Sequence, residues 1–124
     1  MGAIREEVKL IGTLKTKKVT ALFDTGAYRN YIKRELSDGE MVDSIGFHIY
    51  EGIHRAILAD GSISVGEKVR FKELHIKDLR AKEPEFVVME DLIEDVIIGV
   101  HLMQELGISL DPPNGKIEMK AINR

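Results

Sequence analysis

The chain contains no cysteine. Disulfides, thiolate nucleophiles and cysteine-based metal sites are therefore excluded, and no redox compartment is required or forbidden. It also lacks any apolar run approaching the ~20 residues that cross a bilayer. The opening residues MGAIREEVKLIG hold no long apolar segment of the secretory type, which predicts a cytoplasmic protein with no membrane partner. Met1-Gly2 invites comparison with a myristoylation signal, but Glu6 stands where that signal needs Ser or Thr, so Gly2 reads as an ordinary terminal residue. Positive charge is not in excess. Lys and Arg number 18 against 21 Asp and Glu, a formal net charge of -3, which argues against a nucleic-acid partner. His48, His54, His75 and His101 are dispersed without a zinc-binding spacing, so no metal is expected. No phosphate-binding glycine loop is present, and no cofactor is expected. The basic segments at 15–18, 33–34 and 77–82 read as solvated faces.

What remains suits one domain over residues 1–124, with an apolar share of 44% to fill a single core and no internal repeat or linker. Short extended runs dominate. Val8 to Leu14 and Val19 to Phe23 flank a polar break at Thr16-Lys17-Lys18 and are close enough to pair as a hairpin. The spacing in Asn30 to Leu36 fits a short helix or helical turn, ended by Ser37-Asp38-Gly39. Met41 to Tyr50 has no clean period and reads as an irregular strand. Ile53 to Ala59 is extended and runs into the turn signal Asp60-Gly61. Lys68 to Ile76 reads as a further strand with a bulge or bend, and Phe86 to Met89 as another. Asp95 to Gly99 leads into a helix whose Leu102, Met103 and Leu106 share a face and which Gly107 stops. Ile108 and Leu110, the interruption Asp111-Pro112-Pro113-Asn114-Gly115 and Lys116 to Met119 suggest a terminal hairpin. The pattern predicts a mainly β domain with one short C-terminal helix.

The segment that carries chemistry is Ala21-Leu22-Phe23-Asp24-Thr25-Gly26-Ala27. An apolar strand ends abruptly on an ionisable residue, a hydroxyl and a glycine. Alone, Asp-Thr-Gly also serves as a plain turn, because Asp and Thr bond nearby backbone and Gly relieves steric limits. A second segment, Val96-Ile97-Ile98-Gly99, precedes the late helix. Its β-branched pair and glycine also suit a scaffold role, above all at Ile97 and Gly99.

Taken together, Asp24-Thr25-Gly26-Ala27 and Ile97-Ile98-Gly99 with its helix resemble the retroviral-type, or retropepsin-like, aspartic protease family in order and spacing, over residues 8–119. The resemblance implies a single-domain closed β fold and a homodimer, since such members carry one triad per protomer. Its activity would be that of an endopeptidase acting on a peptide or unfolded protein substrate. Asp24, Thr25 and Gly26 would be the catalytic triad, with Thr25 bridging the two loops. One carboxylate cannot both activate water and protonate a leaving group, whereas two adjacent ones can share a proton and titrate as a unit. Ala27 would leave room for substrate, although close packing alone also explains it. Ile98 would edge a substrate pocket, supported by Val100. Residues 57–66, including Leu58, look like the family's hairpin flap, with Asp60-Gly61 at the tip and Ile63 touching substrate; an ordinary surface hairpin is the other reading. Tyr28 and Val100 stand where retroviral members commonly carry an acidic residue and an Arg. A noncatalytic dimeric peptide-binding domain of the same fold is the alternative function.

Overall fold

The structure is a computed structural model that describes residues 3–57 and 59–119; the expectations for Gly2 and Leu58 lie outside the described residues. The first two strands, β1 (Ala3–Ile11) and β2 (Thr16–Asp24), form a hairpin in continuous register from Ala3↔Asp24 to Ile11↔Thr16. Its alternation explains it. Val8 and Leu10 on β1, and Val19, Ala21 and Phe23 on β2, point into the core, while Lys9 and Thr20 face water. The turn comes earlier in the chain than the lysine run suggests, at Gly12 to Lys15. Gly12 fixes it there, because a Cβ at this position would lie 2.1 Å from the Ile45 carbonyl oxygen.

The remaining strands are β3 (Tyr31–Lys33), β4 (Ile49–Ile57), β5 (Ile63–Arg70), β6 (Glu73–Ile76), β7 (Leu79–Lys82), β8 (Glu85–Met89), β9 (Val96–Ile98), β10 (Ile108–Asp111) and β11 (Lys116–Met119). Helix α1 (Val100–Leu106) is the single α-helix among the described residues, and it ends on Gly107 in the left-handed region at φ 70°. The expectation of a helical turn over Asn30 to Leu36 is corrected: β3 is extended. Ile32 is buried between two partners, β8 running parallel and β9 antiparallel, and those pairings outweigh a local preference spread over so few residues. Met41 to Tyr50 is likewise not one strand. A 3₁₀ turn at Val42–Ile45 sends Val42 and Ile45 into the core before β4 begins. The run from Lys68 to Ile76 is two strands, β5 and β6, parted at Phe71 and Lys72. The basic stretch at 77–82 contains β7, which pairs with β6 and buries Ala81.

Nine strands hydrogen-bond in the order β4-β5-β8-β3-β9-β2-β1-β6-β7, and β10 pairs with β11 apart from them. Strands β5 and β6 lie far apart in that order yet are joined by Phe71 and Lys72 alone. The sheet must therefore curl until its two halves meet. The seam is stitched by Lys72 N–H to the Ile11 carbonyl at 2.9 Å, Glu83 N–H to the Lys72 carbonyl at 2.9 Å and Phe71 N–H to the Pro84 carbonyl at 3.3 Å. One apolar cluster fills the interior, from Ile4 on β1 to Ile117 on β11. The result is a mainly β, single-domain fold with a short helix near its C-terminal end.

Phe71 sits at the seam, edge-on to Phe47 and Phe86 with ring centroids 5.7 and 5.5 Å away, and it is fully buried. Phe71→Ala is expected to cost about 3–5 kcal/mol of unfolding free energy. In urea this should appear as a lower midpoint at unchanged slope.

Candidate active site

Strand β2 delivers Asp24 to the end of the sheet. Phe23 is locked in the core, so the next residue, half-buried Asp24, is turned to the opposite face of the strand. The loop then closes on the aspartate itself. Gly26 N–H donates to Asp24 Oδ1 at 2.8 Å, and Ala27 N–H donates to the Asp24 carbonyl at 3.1 Å. One carboxylate oxygen is thereby oriented by backbone. A Cβ at Gly26 would stand 3.1 Å from Asp24 Oδ1, so a side chain here would crowd the same oxygen. Thr25 lies exposed between the two.

The second segment holds this loop from below. Strand β9 runs parallel to β2, pairing Leu22 with Ile97 and Phe23 with Ile98. Where β9 gives way to α1, Val100 N–H donates to the Ala27 carbonyl at 2.7 Å and His101 N–H to the Tyr28 carbonyl at 3.2 Å. Gly99 makes this approach possible. A Cβ on it would lie 2.4 Å from the Arg29 carbonyl oxygen and 2.6 Å from Tyr28 backbone atoms, which bears out its reading as scaffold. Val100 meets the loop through its backbone.

Asn30 completes the junction, and sequence reasoning missed it. It is 8% exposed and is the one buried polar side chain in the described core. Its Oδ1 accepts from Gly99 N–H at 3.0 Å, while its Nδ2 donates to the Glu85 carbonyl at 3.0 Å. Its own carbonyl accepts from Val87 N–H at 2.9 Å. A carboxamide both donates and accepts, so one residue can tie loop, β8 and β9 together. The signal available was an Asn between the loop and an apolar strand.

The expectation that Ile98 edges a substrate pocket is corrected. Strand residues alternate faces, and β9 sends Val96 and Ile98 into the core and Ile97 to the opposite side. There Ile97, Ala27 and Tyr31 form one wall of a cleft of about 230 Å³. His54, Ala56 and Ser64 of the β4–β5 hairpin form the facing wall, with Met89 and Leu92 at one end. The hairpin register places His54↔Gly66 and Ala56↔Ser64 on this inner face and Ile57↔Ile63 on the outer one. Within the chain Ser64, rather than the expected Ile63, therefore lines the cleft, and Ile63 is exposed beyond it. Asp60 and Gly61 are in the turn. Gly61 takes φ 86°, which favours glycine. Ser62 donates to Asp60 Oδ1 from its hydroxyl at 2.6 Å and its N–H at 2.9 Å, holding that carboxyl below its ordinary pKa.

The base of the hairpin is anchored by Arg34, just past β3. Its guanidinium donates to Asp43 and Glu90 at 3.0 Å and pairs with Glu67 of β5, whose other oxygen accepts from the Tyr50 hydroxyl at 2.9 Å. Beside the Asp24 loop, the Tyr28 hydroxyl lies 3.2 Å from His101 Nδ1, and His101 Nε2 lies 3.2 Å from Glu105. Arg29 pairs with Glu85 at 2.9 Å.

His54 is the cleft's one imidazole. Burial, then the nearby charges of Arg29 and Lys68, push its pKa below the ordinary 6.5, against an opposing pull from Glu85. A native pKa below the unfolded one means that its stabilising contribution is whole above about 6.5 and is lost as pH falls through the native midpoint. The NMR titration of His54 is expected to centre below 6.5, and Lys68→Ala to move it back upward. Among the described residues no group of three or more His, Asp or Glu side chains could hold a metal ion, and no helix is long and apolar enough to cross a membrane.

Comparison with solved structures shows where this architecture recurs. The fold is similar to the crystal structure of the retroviral protease-like domain of Ddi1 from Leishmania major, with a TM-score of 0.62 at 14% identity, covering 99% of this chain and 92% of that one. It is also similar to a retropepsin-like aspartic protease from Rickettsia conorii, with a TM-score of 0.59 at 14% identity, covering 88% of this chain and 75% of that one. Identities this low speak to the fold alone. No curated protein matches the chain. The aspartyl protease family model matches residues 8–102, a span that includes Asp24-Thr25-Gly26, the hairpin and Ile97-Ile98-Gly99; with the retropepsin-like fold around them, the chain belongs to the aspartyl protease family.

Proposed function

We propose that two copies of this chain form an aspartic endopeptidase that hydrolyses peptide bonds in peptides or unfolded proteins. The observation that carries the reading is the half-buried Asp24 carboxylate, oriented by Gly26 N–H in a tight loop whose Ala27 lines an apolar cleft faced by a hairpin. Family membership supports it. The chain has one such loop, so a symmetric partner is the economical source of the second carboxyl. Thr25, exposed beside Asp24, would meet its counterpart and fix the separation of the pair.

In that pair one group is ionised and the other protonated. The carboxylate takes a proton from water as the water oxygen bonds to the scissile carbonyl carbon, and the carboxyl protonates the carbonyl oxygen. Collapse of the tetrahedral species breaks the C–N bond as the newly protonated carboxyl gives its proton to the leaving nitrogen and the other, now ionised, takes one hydroxyl proton back, which restores the singly protonated pair. Turnover is expected to be highest on the acidic side of neutrality, where a carboxyl pair keeps one proton.

The test is cleavage of a peptide library by the wild-type chain and Asp24→Asn across a pH series, with and without a chelator. Cleavage that requires Asp24 and survives chelation supports the enzyme. Peptide binding without Asp24-dependent cleavage would establish the noncatalytic binding domain instead, and activity lost on chelation and restored by zinc would count against the mechanism.

A further inference from the structure

His54 occupies an unusual position on the hairpin. Its cross-strand partner is Gly66, so no neighbouring side chain stands opposite it on the inner face. Glycine is required there, because a Cβ would lie 2.6 Å from both Met89 Sδ and Val87 Cγ1. The imidazole therefore faces the cleft, across from Ala27 and Ile97. Among the described residues it has no hydrogen-bond partner. The other walls, including Tyr31, Ala56, Ser64 and Met89, contain no carboxylate and no ammonium or guanidinium group.

We infer that His54 is a specificity-determining residue: with a neutral imidazole the cleft accepts an apolar substrate side chain, and with a protonated one it accepts an acidic side chain. This rests on the reading of the cleft as a peptide-binding site. A neutral ring leaves the cavity apolar, and a space of about 230 Å³ takes one large aliphatic or aromatic side chain. Protonation puts a cation into the same space with no anion to meet it. The charged groups that bear on the ring are Arg29 from the catalytic loop, Lys68 from β5 and Glu85 from β8. Glu85 is already engaged by Arg29 at 2.9 Å and by Lys68 at 4.0 Å, so the surroundings do not neutralise an imidazolium. A carboxylate brought by substrate would do so. Burial and the two cations hold His54 neutral into mildly acidic solution, which places the change of selectivity on the acidic side of 6.5.

The experiment uses the full chain carrying Asp24→Asn, so that binding is read without turnover and without titration of residue 24. Hexapeptide pools carry norleucine or cysteic acid at one position at a time; the sulfonate stays ionised throughout. The ratio of the two dissociation constants is measured one pH unit on either side of the His54 midpoint found by NMR. At the position that meets the cleft, the ratio is expected to shift toward cysteate on the order of tenfold as pH falls, the equivalent of one unit of pKa coupling. By linkage, the cysteate peptide should raise the His54 midpoint and the norleucine peptide lower it. In a chain that also carries His54→Gln, which keeps a polar side chain but cannot titrate, the ratio should stay flat. A ratio that does not move at any position in the Asp24→Asn chain with His54 intact, a ratio that moves as much when His54→Gln is added, or no binding of either peptide would overturn the inference. Asp24-dependent cleavage is judged separately on the wild-type chain, so failure of the enzymatic reading is distinguishable from failure of this one.

Discussion

In a dimer locked to contain one wild-type chain and one Asp24→Asn chain, peptide turnover is expected to fall by about 10²–10⁴-fold, the range for losing a positioned acid or base. Peptide binding should persist. The cleft of each protomer is walled by its own Ala27, Tyr31, Ile97 and hairpin, and the substitution alters no residue of that lining and leaves the backbone bond from Ala27 to residue 24 in place. An amide preserves the size of the side chain, and its oxygen can still accept from Gly26 N–H, which meets Asp24 Oδ1 at 2.8 Å. It cannot exchange the proton that a carboxyl exchanges. The check is single-turnover cleavage with subunit exchange blocked, beside peptide binding on the same sample. Near wild-type turnover by the mixed dimer would rule out the paired-aspartate mechanism, and full activity in a verified monomer would remove the premise of a shared site.

Gly99→Ala is expected to damage both stability and activity. The new methyl group would lie 2.4 Å from the Arg29 carbonyl oxygen and 2.6 Å from backbone atoms of Tyr28, and backbone cannot swing aside as a flexible side chain can. Overpacking of this kind typically costs about 1–3 kcal/mol, and the upper end is expected here. Relief requires the Asp24 loop to lift from the start of α1, stretching the bonds from Val100 to Ala27 and from His101 to Tyr28. Displacement of the loop by about 1 Å is expected to reduce turnover ~10²-fold. Urea unfolding and kcat measured on the folded fraction separate the two effects. A variant as stable and as active as wild type would show that the junction is looser than these distances imply.

Long apolar runs with sharp ends were legible in the sequence. Val19 to Phe23 ends on Asp24, and Val96 to Ile98 ends on Gly99, so their strands and the triad between them could be placed before any pairing was known. Short elements were not. Tyr31 to Lys33 has the local look of a helical turn and is extended because β8 and β9 flank it, residues that lie more than fifty positions away. Strand β7 hid in a charge run because Ala81 is its one buried member. The choice of Ile98 over Ile97 failed by one residue. In a strand a single step reverses the face, and only the register with Leu22 and Phe23 sets which isoleucine meets the cleft. Asn30 was invisible for a related reason: both of its partners, Gly99 N–H and the Glu85 carbonyl, are distant in sequence.

The parallel pairing of β2 with β9 has a consequence for the timing of folding. Residues 21–23 can form their hairpin with β1 as soon as they are synthesised, but their other edge stays open until residues 96–98 arrive. Contacts of such long sequence separation are slow to form, since a large loop must close before any of them is made. During synthesis the segment bearing Asp24 thus waits, half-assembled, for nearly the whole chain. A nascent or truncated chain that ends before Ile97 cannot build the loop's support, so any activity that depends on Asp24 is withheld until the segment from Val96 to His101 has been made.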